Sequence, residues 1–155
     1  MSLKKIYSEP EISHAYIAGL FDGEGSLCMI ETHFKIHPGK KHITCRLSLP
    51  NRDKETLLWI KELMGDIGHL YARPKFKEHY YQVWDFSINS FPEILDFSQK
   101  ISPYIRNKLK KRKFDIMIEY CKLRLYRKEN GGLHQPLGEE ETRLLEKYSS
   151  VGCNY

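Results

Sequence analysis

Asp22-Gly23-Glu24-Gly25 sets two carboxylates in a glycine-rich turn directly after Ala15–Phe21, a run of apolar and aromatic side chains. An apolar helix gains by burial, while carboxylates want water, a cation or a donor, so the junction is costly unless it has a use. Asp-Gly is an ordinary turn signal, and plain turn acids are one reading. The other is a ligand site. A helix end exposes free carbonyls such as that of Gly23, and with the Glu24 carboxylate these are hard oxygens that suit Mg²⁺. A second group with chemical potential is the basic turn Arg106, Lys108, Lys110 and Lys111, behind the helix cap Asn107. Cations in a first helical turn oppose the macrodipole at roughly 0.3–1 kcal/mol each. An external phosphate at that terminus would offset the cost, and a merely solvated basic turn is the alternative.

The elements that must position these residues are legible in outline. Ser8-Glu9-Pro10-Glu11 is a capping box with proline in the first turn, so a helix should begin near residue 9 and end at the glycines. Residues 26–36 and 42–49 read as a β-hairpin around "HPGKK". In its second strand Ile43, Cys45, Leu47 and Leu49 share one face and His42, Thr44, Arg46 and Ser48 the other. In its first strand the alternation is poor: the pattern favours Glu31, His33 and Lys35 on the open side, opposite Cys28, Ile30 and Phe34, and a bulge would reverse part of it. Asn51 and Asp53 can cap a second helix closed by Gly65. A second hairpin over 69–76 and 79–88 follows, then a helix opened by Ser90 and stopped before Pro103. The helix capped by Asn107 should reach about Arg127, and a short helix lies in "GEEETRLLEKY".

The order is α-β-β-α-β-β-α with a C-terminal helical tail. It predicts an α+β fold: a four-stranded antiparallel sheet with helices on one face and the other face open. One domain is expected over 1–155, with a core of about 8–127 and a tail over 128–155.

A surface helix should carry one apolar stripe, but residues 15–21 are apolar all round, so the first helix must be covered on two sides. A central core helix is one solution. The other is a twin helix from a second copy, for which Ala15, Gly19 and Gly23 provide a strip of small residues at helical spacing. Such pairing brings two Glu24 carboxylates together, and they repel unless a cation holds them.

Tyr16–Ser26, "YIAGLFDGEGS", resembles the signature of the LAGLIDADG homing endonucleases, and Ile17–Gly25 matches that motif position by position. The element order and chain length also resemble the single-motif, homodimeric branch. The resemblance implies a site-specific double-stranded DNA endonuclease, often intron-encoded, that hydrolyses phosphodiesters with Mg²⁺ or another divalent cation such as Mn²⁺. It implies that Glu24 and the Gly23 carbonyl bind metal between two subunits, with glutamate where aspartate is commoner. It gives Asp22 a structural place. It further implies that Asn51 orders water at the metal, though a plain helix cap is its rival role and Arg52 its neighbour in the alignment. Lys108 falls where the family has a lysine beside the scissile phosphate. Cleavage across the minor groove of a long, nearly palindromic target is implied, with the open sheet face in the major groove. Arg46, Arg73, Lys75, Thr44, Ser48, Lys35 and Gln82 are the candidate DNA contacts there, with Arg106, Lys110 and Lys111 at the basic turn. An RNA maturase acting on intron RNA, or a non-cleaving nucleic-acid-binding protein, is the alternative on the same fold.

Charge distribution agrees with a polyanionic partner. The net charge is +5, but residues 32–52 carry Lys35, Lys40, Lys41, Arg46 and Arg52 with no acid, and residues 100–114 are likewise acid-free and basic. No apolar run is long enough to span a bilayer, so no membrane partner is expected. "MSLKKIYSEPE" lacks the apolar core of a secretory signal, which predicts an intracellular protein of a prokaryotic cytoplasm or of an organelle, mitochondrion or chloroplast. Cys28, Cys45, Cys121 and Cys153 are widely spaced, neither a zinc pattern nor a disulfide framework, and read as reduced packing residues.

Overall fold

A computed structural model of the chain describes residues 9–36, 39–131 and 137–152. The expected Ser8 cap, His37-Pro38 of the first turn and Cys153 lie outside the described residues. The elements run α1 (Glu9–Glu24), β1 (Ser26–His33), β2 (Lys41–Asn51), α2 (Lys54–Leu63), β3 (His69–Ala72), β4 (Trp84–Ile88), α3 (Phe91–Ile101), a 3₁₀ turn (Ser102–Tyr104), α4 (Lys108–Glu129) and α5 (Glu139–Ser150). The expected α+β order is therefore observed. The sheet is four-stranded and antiparallel in the order β1-β2-β4-β3.

Caps set the helix starts as the residue types require. Asp53 accepts the Glu55 amide and the Thr56 hydroxyl, Ser90 accepts the Glu93 amide, and Asn107 accepts those of Leu109 and Lys110. Gly68 turns the chain into β3 at φ +70°, where a Cβ would lie 2.7 Å from the Ser87 carbonyl oxygen. The core lies between the sheet and the helices. Ile43, Cys45, Leu47 and Leu49 of β2 and Phe86 and Ile88 of β4 are buried against α1, α3 and α4. Phe21 sits at its centre, with ring centroids 6.0 Å from Phe97 and 5.2 Å from Phe114. The Tyr120 hydroxyl donates to the Ile43 carbonyl, and burial pushes its ionisation up. The tail helix α5 docks on α4 and β1, its buried Glu141 facing Arg124 and Arg127 of α4. Cys45 and Cys121 are buried free thiols, and Cys28 is an exposed one.

Two expectations are corrected. The second hairpin is regular only over β3 and β4. Between them the Arg73 amide donates to the Val83 carbonyl, and the rest of 73–83 is loop, so Lys75 and Gln82 are loop residues. In β1 the facing is the reverse of that expected. Register pairs Cys28 with Arg46 and Ile30 with Thr44 on the open face, while Glu31 lies opposite Ile43 on the core side. Lys35 lies past the end of the strand, exposed in a bend. The pattern misleads because β1 is an edge strand whose core-side Glu31, near the hairpin turn, stays exposed and pairs with Lys41 at 3.1 Å.

Truncating Phe21 to Ala removes the ring at the centre of the core and should cost about 3–5 kcal/mol. Denaturant unfolding checks this. A midpoint shift matching a loss under about 1 kcal/mol would contradict so central a position.

Candidate active site and nucleic-acid face

The last turn of α1 and the start of α4 meet, and a charged side chain of each binds backbone groups at the end of the other. The Asp22 carboxylate accepts the amides of Arg106 (2.8 Å) and Asn107 (3.2 Å). In return, the Lys110 ammonium donates to the carbonyls of Phe21 (2.8 Å) and Asp22 (2.6 Å). Helix starts are short of acceptors and helix ends short of donors, so a carboxylate serves one and an ammonium the other. Burial lowers the Lys110 pKa, against the opposing pull of Asp22 and Glu24.

This arrangement sets a carboxylate of the chain itself at the α4 terminus. The anion that the basic turn calls for is Asp22 of α1, and Asn107 takes the next amides. Lys110, expected at DNA, is held on the α1 carbonyls instead. Lys111 pairs with Asp115 at 3.3 Å. Arg106 and Lys108 remain exposed, with no ion pair to the described residues.

Glu24 closes α1 fully outside the core, and its carboxylate accepts no hydrogen bond from the described residues. Gly23 beside it is exposed, with open space where a Cβ would stand. These oxygens suit a hard divalent cation in type. In number they fall short: among the described residues no group of three His, Cys, Asp or Glu could hold a metal. Asn51 ends β2, and its side-chain oxygen accepts the Asp53 amide at 2.9 Å, so the helix-entry role is in place beside any role at a metal. The neighbouring Arg52 stacks over the exposed Tyr81 ring.

The all-apolar stretch of α1 is divided as a two-sided helix must be. Ile17, Ala18 and Phe21 face the core, while Ala15 and Gly19 are exposed with Ile12 and Tyr16. A purely central core helix is thereby excluded. Trp59 of α2 meets Tyr16 edge-on at 5.6 Å, and Leu63 one turn further is exposed too, so α2 widens this apolar face. Sequence reasoning missed Ile12, Tyr16, Trp59 and Leu63. The signal was there for α2, since Trp59 and Leu63 form a second apolar row beside the buried Leu57, Ile60 and Met64.

On the open face of the sheet, two arginines are already engaged. Arg46 donates from Nε to the Ser87 hydroxyl (3.1 Å) and from Nη2 to the Tyr71 hydroxyl (2.5 Å). Arg73 clasps the buried carboxylate of Asp85 with Nε and Nη2, both at 2.7 Å, which raises the arginine's pKa further. Both use the Nε–Nη2 edge, which leaves the end-on Nη1–Nη2 edge, one by which arginine can read guanine, without a partner among these bonds. Tyr71, Asp85 and Ser87 were missed, because only the register of β3 and β4 brings them beside the arginines. Gln82 donates its amide to the carbonyls of Arg73 and Val83, which bridges the loop ends. Thr44 and Ser48 are half-buried on the open face, and Lys75 is exposed.

No protein-family model and no curated protein matches the chain. Solved structures do. The homing endonuclease I-CvuI, in complex with the I-CreI target and magnesium with the DNA not cleaved, aligns with a TM-score of 0.69 at 17% identity, covering 94% of this chain and 85% of its own. The archaeal intron-encoded homing endonuclease I-Vdi141I, complexed with DNA, gives 0.69 at 19%, over 93% and 86% of the two chains. The LAGLIDADG homing endonuclease I-SmaMI, bound to cleaved DNA, gives 0.64 at 18% over 96% of this chain but 44% of its own. The fold of this chain is the homing-endonuclease fold.

Asp22→Ala should cost about 1–2 kcal/mol, as loss of a helix-terminal acceptor does, and Asp22→Asn less, since it keeps one acceptor. Urea unfolding of both variants tests this. Equal and negligible losses would mean that Asp22 does not tie α1 to α4.

Proposed function

We propose that this chain is a LAGLIDADG homing endonuclease that cleaves double-stranded DNA at a long, nearly palindromic site with a divalent cation, working as a homodimer. The observation that carries the reading is the conjunction at one helix end: an exposed Glu24 beside the Gly23 carbonyl, at the foot of an exposed small-residue strip. A twin chain docked along Ala15, Gly19 and Gly23 would add its own Glu24 and carbonyl and complete a site that a single chain leaves incomplete.

Glu24 and the Gly23 carbonyl would hold Mg²⁺ or Mn²⁺. The bound ion supplies polarisation of the scissile phosphate and activation of water as nucleophile. Lys108, exposed on the first turn of α4, supplies positive charge where the phosphate gains negative charge. Asn51 has a side-chain nitrogen left to order water, its oxygen being held by the Asp53 amide. The open sheet face would enter the major groove, with Thr44, Ser48 and the outward N–H groups of Arg46 and Arg73 towards bases or phosphates. Lys35 and Lys75 would reach backbone phosphates from their loops, and Arg106 from the turn before α4.

Incubation with Mg²⁺ and a plasmid library of targets should give discrete double-strand cuts. Glu24→Gln should bind the cut sequence without cleaving it, and Lys108→Ala should lower the rate by about 10²–10³-fold. Binding by the wild-type protein with no cleavage under any divalent metal would sink the nuclease reading in favour of a non-cleaving binder, and tighter binding to RNA than to DNA would favour a maturase.

Gly19→Leu separates the two sides of α1. The substitution places its Cβ in open space, with nothing within 4 Å. In a helix interior it should stabilise a lone chain by up to about 1 kcal/mol. The same side chain would block a twin helix, so sedimentation should change from dimer to monomer. A dimer that survives the substitution would contradict pairing along this strip.

A further inference from the structure

Lys110 stands between the two halves of the proposed site. On one side its ammonium holds the carbonyls of Phe21 and Asp22, immediately before Gly23 and Glu24 in α1. On the other it belongs to the same helical turn as Lys108. Asp22, whose own carbonyl it binds, is fixed from its side chain by the amides of Arg106 and Asn107. The last turn of α1 is thus held from α4 at four points, all backbone-directed. An ammonium in this position has two of its three donors committed and lies partly buried.

We infer that Lys110 is a positioning residue for the cation site: by fixing the α1 terminus it holds the Gly23 carbonyl and the Glu24 carboxylate in the geometry a divalent cation needs. The inference rests on the nuclease reading for the identity of the ligand, and its test is separable from cleavage. A lysine beside a cation site can act in three ways, and they differ in sign. As a phosphate contact its loss weakens DNA binding. As a nearby positive charge it repels the metal, so its loss tightens metal binding. As a positioning residue its loss loosens the ligand geometry and weakens metal binding, although local negative charge increases.

Lys110→Met keeps the apolar stem and removes the donors, while Lys110→Arg restores charge and donors. Mn²⁺ binding to the dimer is read by electron paramagnetic resonance, alongside thermal unfolding and duplex binding in Ca²⁺. Lys110→Met should weaken Mn²⁺ binding by about 10-fold or more, as loss of a group that orients a metal ligand does, and Lys110→Arg should recover most of it. Duplex affinity should stay within about twofold, since two of the three Lys110 donors are committed to the carbonyls of Phe21 and Asp22. Unchanged or tighter Mn²⁺ binding by Lys110→Met would overturn the inference, as would a loss confined to duplex affinity. Should Lys110→Met not fold, Lys110→Gln, whose shorter, uncharged side chain keeps two N–H donors on one nitrogen, is read by the same criteria. A wild-type protein that binds Mn²⁺ through Glu24 but cuts no duplex would overturn the nuclease reading alone. One that binds no Mn²⁺ would overturn both.

Discussion

The crossed contact between α1 and α4 is the constraint on which the other features depend. A charged side chain of each helix reaches backbone groups at the end of the other: Asp22 the amides of Arg106 and Asn107, Lys110 the carbonyl of Asp22 and, alongside the Gly25 amide, that of Phe21. The polarity is right for both dipoles. With the two termini tied, the Phe21 ring is fixed in the core against Phe97 and Phe114, and the rotation of α1 about its axis is settled. That rotation decides which residues remain outside. Glu24 faces out at the foot of the helix, and Ile12, Ala15, Tyr16 and Gly19 form the uncovered side.

Two surfaces are consequently left open by a chain that otherwise closes its core. One is apolar and made of α1 and α2, with Trp59 against Tyr16. Contiguous exposed apolar side chains of this kind mark an interaction surface. The other is the polar face of the sheet, where a buried Asp85 and two arginines form an ordered layer. On that face protein partners hold the Nε–Nη2 edge of each arginine, so Tyr71, Ser87 and Asp85 set how its remaining Nη1 and Nη2 N–H groups are presented.

Much of the fold is legible in the sequence because local chemistry is consistent with it. Asn107, Ser90 and Asp53 cap the helices they precede. The clean alternation of β2 marks a central strand with one buried face. The run Ala15–Phe21, apolar all round, requires by itself a helix with two sides to cover. The rest is hidden for identifiable reasons. The facing of β1 is the reverse of its pattern because an edge strand near its turn has little to bury on its core side, so Glu31 and His33 look solvent-facing on either face. The second hairpin is shorter than its residue types suggest, because Tyr80, Tyr81 and Val83 have strand propensity but no partner strand to pair with. The basic turn of α4 does call for an anion, but the carboxylate that answers it lies in α1, far away in sequence. No local pattern joins Asp22 to Asn107 or Lys110 to Phe21.

The most direct measurement of the central claim is an anomalous diffraction map from crystals of the protein grown with Mn²⁺. The account predicts density on a two-fold axis between paired α1 helices, at the Glu24 carboxylates and Gly23 carbonyls, with the Lys110 ammonium still on the carbonyls of Phe21 and Asp22. Density elsewhere, or α1 faces that remain apart in the crystal and in solution, would contradict it.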